Sequence, residues 1–276
     1  MGWGTVKITI AHTPDPDDSF MFYGMFEGFV KTHYDYEQVV EDIESLNKKS
    51  VESVYDITAI SANAYSSVHN KYNLLSAGAS FGISTGPIVV AKRDVNLKTS
   101  SLGIPGFGTS AYFLYRFFGP DPLKFVECRF DLIPDMVVKG EIDAGLLIHD
   151  EQLTFQKKGL LKVLDLGDLW RKFSGNLPVP LGFNAARSTL QDDVVKNFLD
   201  DFRRSIKYGF QHEDDALKYS MKFARYSDIE LERKFVRLYV NDLTYDFGEP
   251  GKKALELYYR KAHDLGLTGP FTPVIL

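Results

Sequence analysis

A histidine at position 149 closes the apolar run DAGLLI and is followed at once by Asp150 and Glu151, which read as the acidic first turn of a helix. Imidazole is the side chain best suited to move a proton near neutral pH, so His149 is the first candidate for a general base. A loop histidine can equally be a solvated surface residue, and its place at a strand end is what favours chemistry. A second polar group lies in GFGTSAY, where Gly106 and Gly108 precede Thr109 and Ser110, either of which fits a helix N-cap. Such a turn offers backbone N–H groups and hydroxyls to a carboxylate, a phosphate or sugar hydroxyls. The string also fits the G-x-G-x-x-A form of a dinucleotide fingerprint, with Asp131 at the spacing of about 20 residues that the fingerprint requires. Pro105 directly before the first glycine is awkward for that reading, and a plain capping turn is the third possibility.

Two further groups complete the candidates. Asp15, Asp17 and Asp18 stand among prolines in HTPDPDDSF. Three neighbouring carboxylates can attract a divalent cation, but no octahedral set is visible around them, and Asp17 or Asp18 fits the N-cap of the following helix. Ser61 and Asn63, after the run DITAI, can hydrogen-bond a ligand or cap the helix that starts there. His12, His33, His69, His212 and His263 have no mutual spacing that points to a metal site, and the aromatic string FMFYGMFEGF reads as core.

The elements that must position these residues follow from periodicity. KITIAH, YEQVVEDI and DITAIS are short β-patterns separated by helical ones, a βαβαβ unit that implies a parallel sheet. After GPIVVAKR the pattern restarts with SLGIPG, the helix TSAYFLYRFFG, the strand KFVECRF, the helix LIPDMVVKG and the strand DAGLLIH. From Gln191 onward the chain is almost wholly helical: DDVVKNFLDDFRRSIKYGFQ, EDDALKYSMKFARY, SDIELERKFVRLYV and GKKALELYYRKAHDLG. The economical arrangement is two lobes joined by crossovers near Val89 to Arg93 and near Leu181 to Ala186, with residues 1–90 and 185–276 in one lobe and 91–184 in the other. In open parallel sheets ligands sit beyond the carboxyl ends of the strands, which is where all four polar groups fall.

Composition narrows the function classes. With 276 residues, 44% hydrophobic and 25% charged, the chain has ordinary globular composition and length enough for two lobes. Its 32 basic and 37 acidic residues are interspersed, with no basic stripe to neutralise a run of phosphates, so nucleic acid is not the expected ligand. Cys128 is the only cysteine, which rules out an internal disulfide and fits a reducing compartment. MGWGTVKITIAH reaches a β-pattern without the basic start and apolar core of a signal peptide, and no apolar stretch approaches the ~20 residues that span a bilayer. A cytoplasmic protein acting on a small molecule is expected, with no membrane partner. Oligomeric state is not legible in the sequence.

These same loops carry a resemblance. TPDPDDSFMFY, VVEDIESLN, GPIVVAKR, GTSAYFL, GEIDAGLLIHDEQLTFQKKGL, VLDLGDLW and LPVPLGFNAAR, in that order along nearly the whole chain, resemble the 1,4-dihydroxy-6-naphthoate synthase family of the futalosine route to menaquinone. The resemblance implies an α/β fold of the periplasmic-binding-protein type II kind, used as a lyase on the cyclic de-hypoxanthine form of futalosine; capping and turn chemistry account for the acidic first loop, so no metal is expected, and no cofactor. It places the family's proposed base on His149 and substrate binding on Ser61, Thr109 and Ser110. Asn63, and Asp18, which matches the family pattern together with Phe20, join the expected substrate-binding set. The first loop departs from the family's Ser-Pro-Cys-Pro-Asn-Asp-Thr-Phe: Asp15 stands for the cysteine and Asp17 for the asparagine. That departure leaves the substrate itself open. The rival readings are the pathway's chorismate dehydratase, which shares the fold but lacks the strand-end histidine, and a solute-binding protein, which needs the clamp and no base.

Overall fold

The computed structural model describes residues 7–223 and 228–276. The end of the expected helical stretch EDDALKYSMKFARY and the first residue of the next lie at 224–227, and the opening MGWGTV at 1–6, outside the described residues. The chain begins with β1 (Lys7–His12), α1 (Pro16–Phe26), β2 (Asp35–Val40), α2 (Ile43–Val51), β3 (Ile57–Ser61), α3 (Ala62–Val68), β4 (Tyr72–Leu74) and β5 (Ser80–Gly82). It continues with β6 (Ile88–Ala91), β7 (Ser101–Ile104), α4 (Ser110–Phe118), β8 (Lys124–Glu127), α5 (Ile133–Lys139), β9 (Ala144–Leu147), the short α6 (Glu151–Thr154), β10 (Leu161–Asp165) and α7 (Leu166–Ser174). It returns through β11 (Val179–Arg187) and closes with α8 (Asp192–Gln211), α9 (Glu213–Ser220), α10 (Ile229–Tyr239), α11 (Asp242–Tyr245) and α12 (Gly248–Asp264).

Two sheets result. The first has the order β2-β1-β3-β11-β4, with β5 also paired to β11; the second runs β10-β6-β9-β7-β8. The chain passes from the first sheet to the second after Gly82 and returns after Asp165, whereas Val89 and Leu181 themselves lie within β6 and β11. The expected βαβ units are present: β1 is parallel to β2 and β3, and β7 is parallel to β8 and β9. The sheets are nevertheless mixed, not parallel throughout. β11 is antiparallel to β3, β4 and β5, and β6 is antiparallel to β9 and β10. A crossover helix forces parallel neighbours only for strands it joins within one sheet, and β6 and β11 arrive from the other sheet.

Burial explains the order of strands. Every residue of β3 is buried, as suits ITAIS in the middle of the first sheet, while no residue of edge strand β2 is fully buried and its first four alternate exposed and half-buried. Ile60, Phe81 and Phe183 of the first sheet share one core with Val89, Leu102 and Leu146 of the second, bridged by Trp170 of α7 and Tyr258 of α12. Trp170 is fully buried and directs its single donor to the carbonyls of Leu177 and Pro178, which fixes the segment that leads into β11. The C-terminal helices cover the first lobe's helical face: Phe198, Phe202 and Ile206 of α8 pack with Met21 and Phe22 of α1. Val236 and Val240, on and just after α10, reach Phe20 and Tyr23 of α1. Among the described residues no helix is long and apolar enough to cross a membrane.

Candidate active site

A cavity of about 700 Å³, counting the part open to solvent, lies between the two sheets. His149, Ser61, Thr109, Ser110 and Asp18 all line it, so five of the six expected site residues meet there. Asn63 does not line it. Its amide instead donates to the carbonyls of Phe107 at 2.7 Å and Thr109 at 3.3 Å, so that α3 holds the turn in front of α4.

The loop after β1 is organised by its prolines. Pro16 has no N–H to lose and a φ suited to the first helical turn, so α1 starts there and Asp15 takes the N-cap position with extended backbone. The expected caps, Asp17 and Asp18, therefore fall inside the first turn. Asp18 folds back and accepts from the Thr13 backbone N–H at 3.0 Å and the Thr13 hydroxyl at 2.7 Å, closing the loop on itself. Asp17 accepts from the Ser80 hydroxyl at 2.9 Å across the sheet. Burial, and then the neighbouring carboxylates Asp18 and Asp15, push the Asp17 carboxyl well above the usual carboxylate range; burial also raises Asp18, against the pull of the Thr13 bonds.

Ser61 ends β3 and stands at the N-cap of α3 without capping it. Asn47 of α2 holds it in two ways: Asn47 Nδ2 donates to the serine Oγ at 3.0 Å, and Asn47 Oδ1 accepts from the serine N–H at 3.0 Å. In the facing lobe Thr109 is the N-cap of α4, its hydroxyl accepting from Tyr112 N and donating to Gly106 O at 2.8 Å. Ser110 donates to the carbonyl of Leu181 in β11. Gly106 has φ +144°, and a Cβ there would stand 2.7 Å from Glu44 Oε2; one on Gly108 would stand 2.9 Å from the same oxygen. Gly106 is required by its backbone conformation, whereas the crowding at Gly108 comes from the far end of the flexible Glu44 side chain. The Glu44 carboxylate packs against this turn, and Asp131 lies beyond the end of β8 in an exposed ion pair with Arg129, an arrangement that explains the turn as a packed helix start without a dinucleotide.

His149 follows β9 with φ +55°, a left-handed conformation that it shares with Ser53 and Asn176 and that histidine adopts more readily than most side chains. Its ring lies edge-on to Phe130 at 4.8 Å between centroids, with Phe235 of α10 at 6.3 Å. Its Nδ1 is 3.4 Å from Asp15 Oδ2. Gln152, in the amide orientation that satisfies both its ends, donates to Gly86 O at 2.6 Å and accepts from the His149 backbone N–H at 3.2 Å. Asp15 and Asp17 line the cavity with Asp18, as the position of their loop after β1 suggested, and Ser80, Gln152, Phe235 and Tyr239 join the wall from places the sequence reading did not single out. Phe235 and Tyr239 are four apart on one face of α10, a spacing visible in the sequence, but nothing local says what that face covers.

Elsewhere, among the described residues, His33, Asp200 and Asp201 gather closely enough to hold a cation. The buried Asp201 carboxylate is already engaged there by the His33 N–H at 2.8 Å, His33 Nδ1 at 2.7 Å, Tyr36 OH at 2.9 Å and Arg204. That is the pattern of a structural acceptor.

The family model described as menaquinone biosynthesis matches residues 8–264. This chain belongs to that menaquinone-biosynthesis family. Among curated members, a Thermus thermophilus protein named 1,4-dihydroxy-6-naphthoate synthase is 35% identical over 264 residues, covering 95% of this chain and 96% of its own. A crystal structure of an Archaeoglobus fulgidus protein is similar with a TM-score of 0.91 at 45% identity, covering 95% of this chain and 98% of that one. The menaquinone-family chain also superposes on a Candida albicans protein described as having the generic periplasmic binding protein fold, with a TM-score of 0.67 at 15% identity over 98% of both chains. The fold is therefore the two-sheet, periplasmic-binding-protein arrangement expected from the sequence.

Proposed function

We propose that this chain releases 1,4-dihydroxy-6-naphthoate from cyclic de-hypoxanthine futalosine in the cytoplasm, as a carbon–carbon lyase in which His149 is the general base. The observation that carries the reading is the convergence of His149 with the hydroxyl residues Ser61, Thr109 and Ser110 on one cavity between the sheets. A cleavage that ends in an aromatic ring needs a proton taken from carbon or hydroxyl in a site that excludes water. His149 takes that proton. The start of α4, a nine-residue helix capped by Thr109, offers its N–H groups and dipole to the substrate carboxylate, and Ser61 and Ser110 meet the sugar-derived hydroxyls. Asp18 shapes the first loop through Thr13, and Asn63 holds the turn before α4. Burial and the neighbouring carboxylates Asp18 and Asp15 push Asp17 toward its neutral form, a direction that suits an anionic substrate. The two sheets act as lobes that close over the substrate.

The test is to incubate the pure protein with the cyclic futalosine derivative, with chorismate as a parallel substrate, and to look for each product by mass spectrometry. Dihydroxynaphthoate from the first is expected, and His149→Asn should lower kcat by ~10²–10⁴-fold with substrate affinity and folding nearly unchanged. Dehydration of chorismate, or tight binding of either compound without turnover, would overturn the assignment. An asparagine variant with full kcat would remove the base while leaving the substrate.

A further inference from the structure

We infer that Asp15 is a positioning residue for the His149 imidazole, its carboxylate meeting the Nδ1 edge and holding the ring in the orientation and tautomer that leave Nε2 as proton acceptor. The inference rests on the reading of His149 as the base. Asp15 Oδ2 stands 3.4 Å from His149 Nδ1, and the two side chains are 5% and 19% exposed. That separation is a few tenths of an ångström beyond an N–H···O hydrogen bond, the kind of contact that tightens when a ligand draws two lobes together.

The geometry of both partners is set by the backbone, not by the contact itself. Pro16 fixes the start of α1 and so fixes Asp15 at its N-cap, where the side chain makes no capping bond to the helix. On the other side, the left-handed backbone at His149 and the bond from its N–H to Gln152 aim the imidazole back toward α1. Phe130 at 4.8 Å and Phe235 at 6.3 Å flank the ring and limit its rotation. A carboxylate at Nδ1 favours the Nδ1–H form and stabilises the imidazolium that forms when Nε2 takes a proton. Among the described residues, the other titratable groups in the same wall are Asp17 and Asp18 of α1 and Tyr239 of α10, with Asp150 and Glu151 adjoining in the chain. Asp17 is engaged by Ser80 and Asp18 by Thr13. Asp15 alone of the three aspartates is at ion-pair distance from the imidazole.

Asp15→Asn separates this role from capping, because asparagine caps a helix as well as aspartate does and keeps nearly the same shape. Two readouts are used. In protein labelled with ¹⁵N-histidine, the ring signals of His149 are assigned by their loss in His149→Asn and recorded at the alkaline end of the ring's titration. Wild type should show a protonated Nδ1 and a bare Nε2, and Asp15→Asn should move the ring toward the other tautomer. The same variant should lose ~10²-fold or more in kcat with KM little changed. Wild-type ring signals with a bare Nδ1, or an Asn variant whose ring signals match wild type, would overturn the inference whatever the rates. If the wild type fails to act on the cyclic substrate, the proposed reaction falls, and the ring signals still decide the role of Asp15.

Discussion

His12 gives a stability test in which the sign and size both follow from its surroundings. The ring is fully buried at the end of β1, stacked on Phe22 at 4.7 Å, and burial holds its pKa down at about 4. Its hydrogen bonds agree with a neutral ring: Nδ1 lies 2.7 Å from the Thr13 carbonyl, which only an N–H can satisfy, and Nε2 lies 2.8 Å from the Gln38 amide nitrogen, which is a donor. The unfolded chain takes up a proton near pH 6.5, whereas the fold resists until about 4. His12 thus contributes in full above pH 6.5, and that contribution is lost as the pH falls through this window. Linkage over that interval predicts a loss of ~2 kcal/mol between pH 7.5 and pH 5. Urea unfolding across this range should show wild type losing about 2 kcal/mol more than His12→Asn, whatever the constant offset between them. Parallel curves would refute the argument, as would direct NMR titration of His12 in the folded wild type near pH 6.5.

Three further outcomes are expected. Gly78 has φ +77°, and a Cβ there would stand 2.2 Å from Phe202 Cε1 and 2.7 Å from Asn184 Nδ2, so Gly78→Ala should cost ~2–4 kcal/mol in chemical denaturation. Gly28→Ala, with φ +76° but nothing within 4 Å, should cost only ~1 kcal/mol and separates backbone strain from crowding. Turnover should survive dialysis against a chelator, because Asp15, Asp17 and Asp18 turn to His149, Ser80 and Thr13 respectively and do not converge on one point. Activity lost on chelation and restored by a divalent cation would show that they can.

The parts of this architecture that were legible in the sequence are those set by local pattern. β1, β3, β7 and β9 are short apolar runs bounded by turn residues, and the polar groups after them had to lie at one edge of the sheets. What periodicity cannot carry is direction between sheets, so the antiparallel insertion of β6 and β11 was invisible, as were the three-residue strands β4 and β5. Capping rules named the right loop but the wrong aspartate, because Pro16 outranks side-chain preference in choosing where α1 starts. Asn63 was expected in the cleft on the same local grounds as Ser61. Two residues and the strand-to-helix junction separate them: Ser61, still on the strand, lines the cavity, and Asn63, within α3, faces the turn of the other lobe. The meeting of Asp15 with His149 joins residues far apart in the chain, and no local rule reaches across that distance.

The place of β11 in the chain has a bearing on how the protein is made. All strands of the second sheet lie between Ile88 and Asp165, so that sheet can be completed from one contiguous stretch as the chain leaves the ribosome. The first sheet cannot. β3, β4 and β5 are all in place by Gly82, but the strand that joins them starts only at Val179, and until it follows, the fully buried strand ITAIS has an open edge. An apolar edge exposed for that interval is a template for pairing with another nascent chain, so the folding hazard falls on the lobe that is synthesised first and finished last.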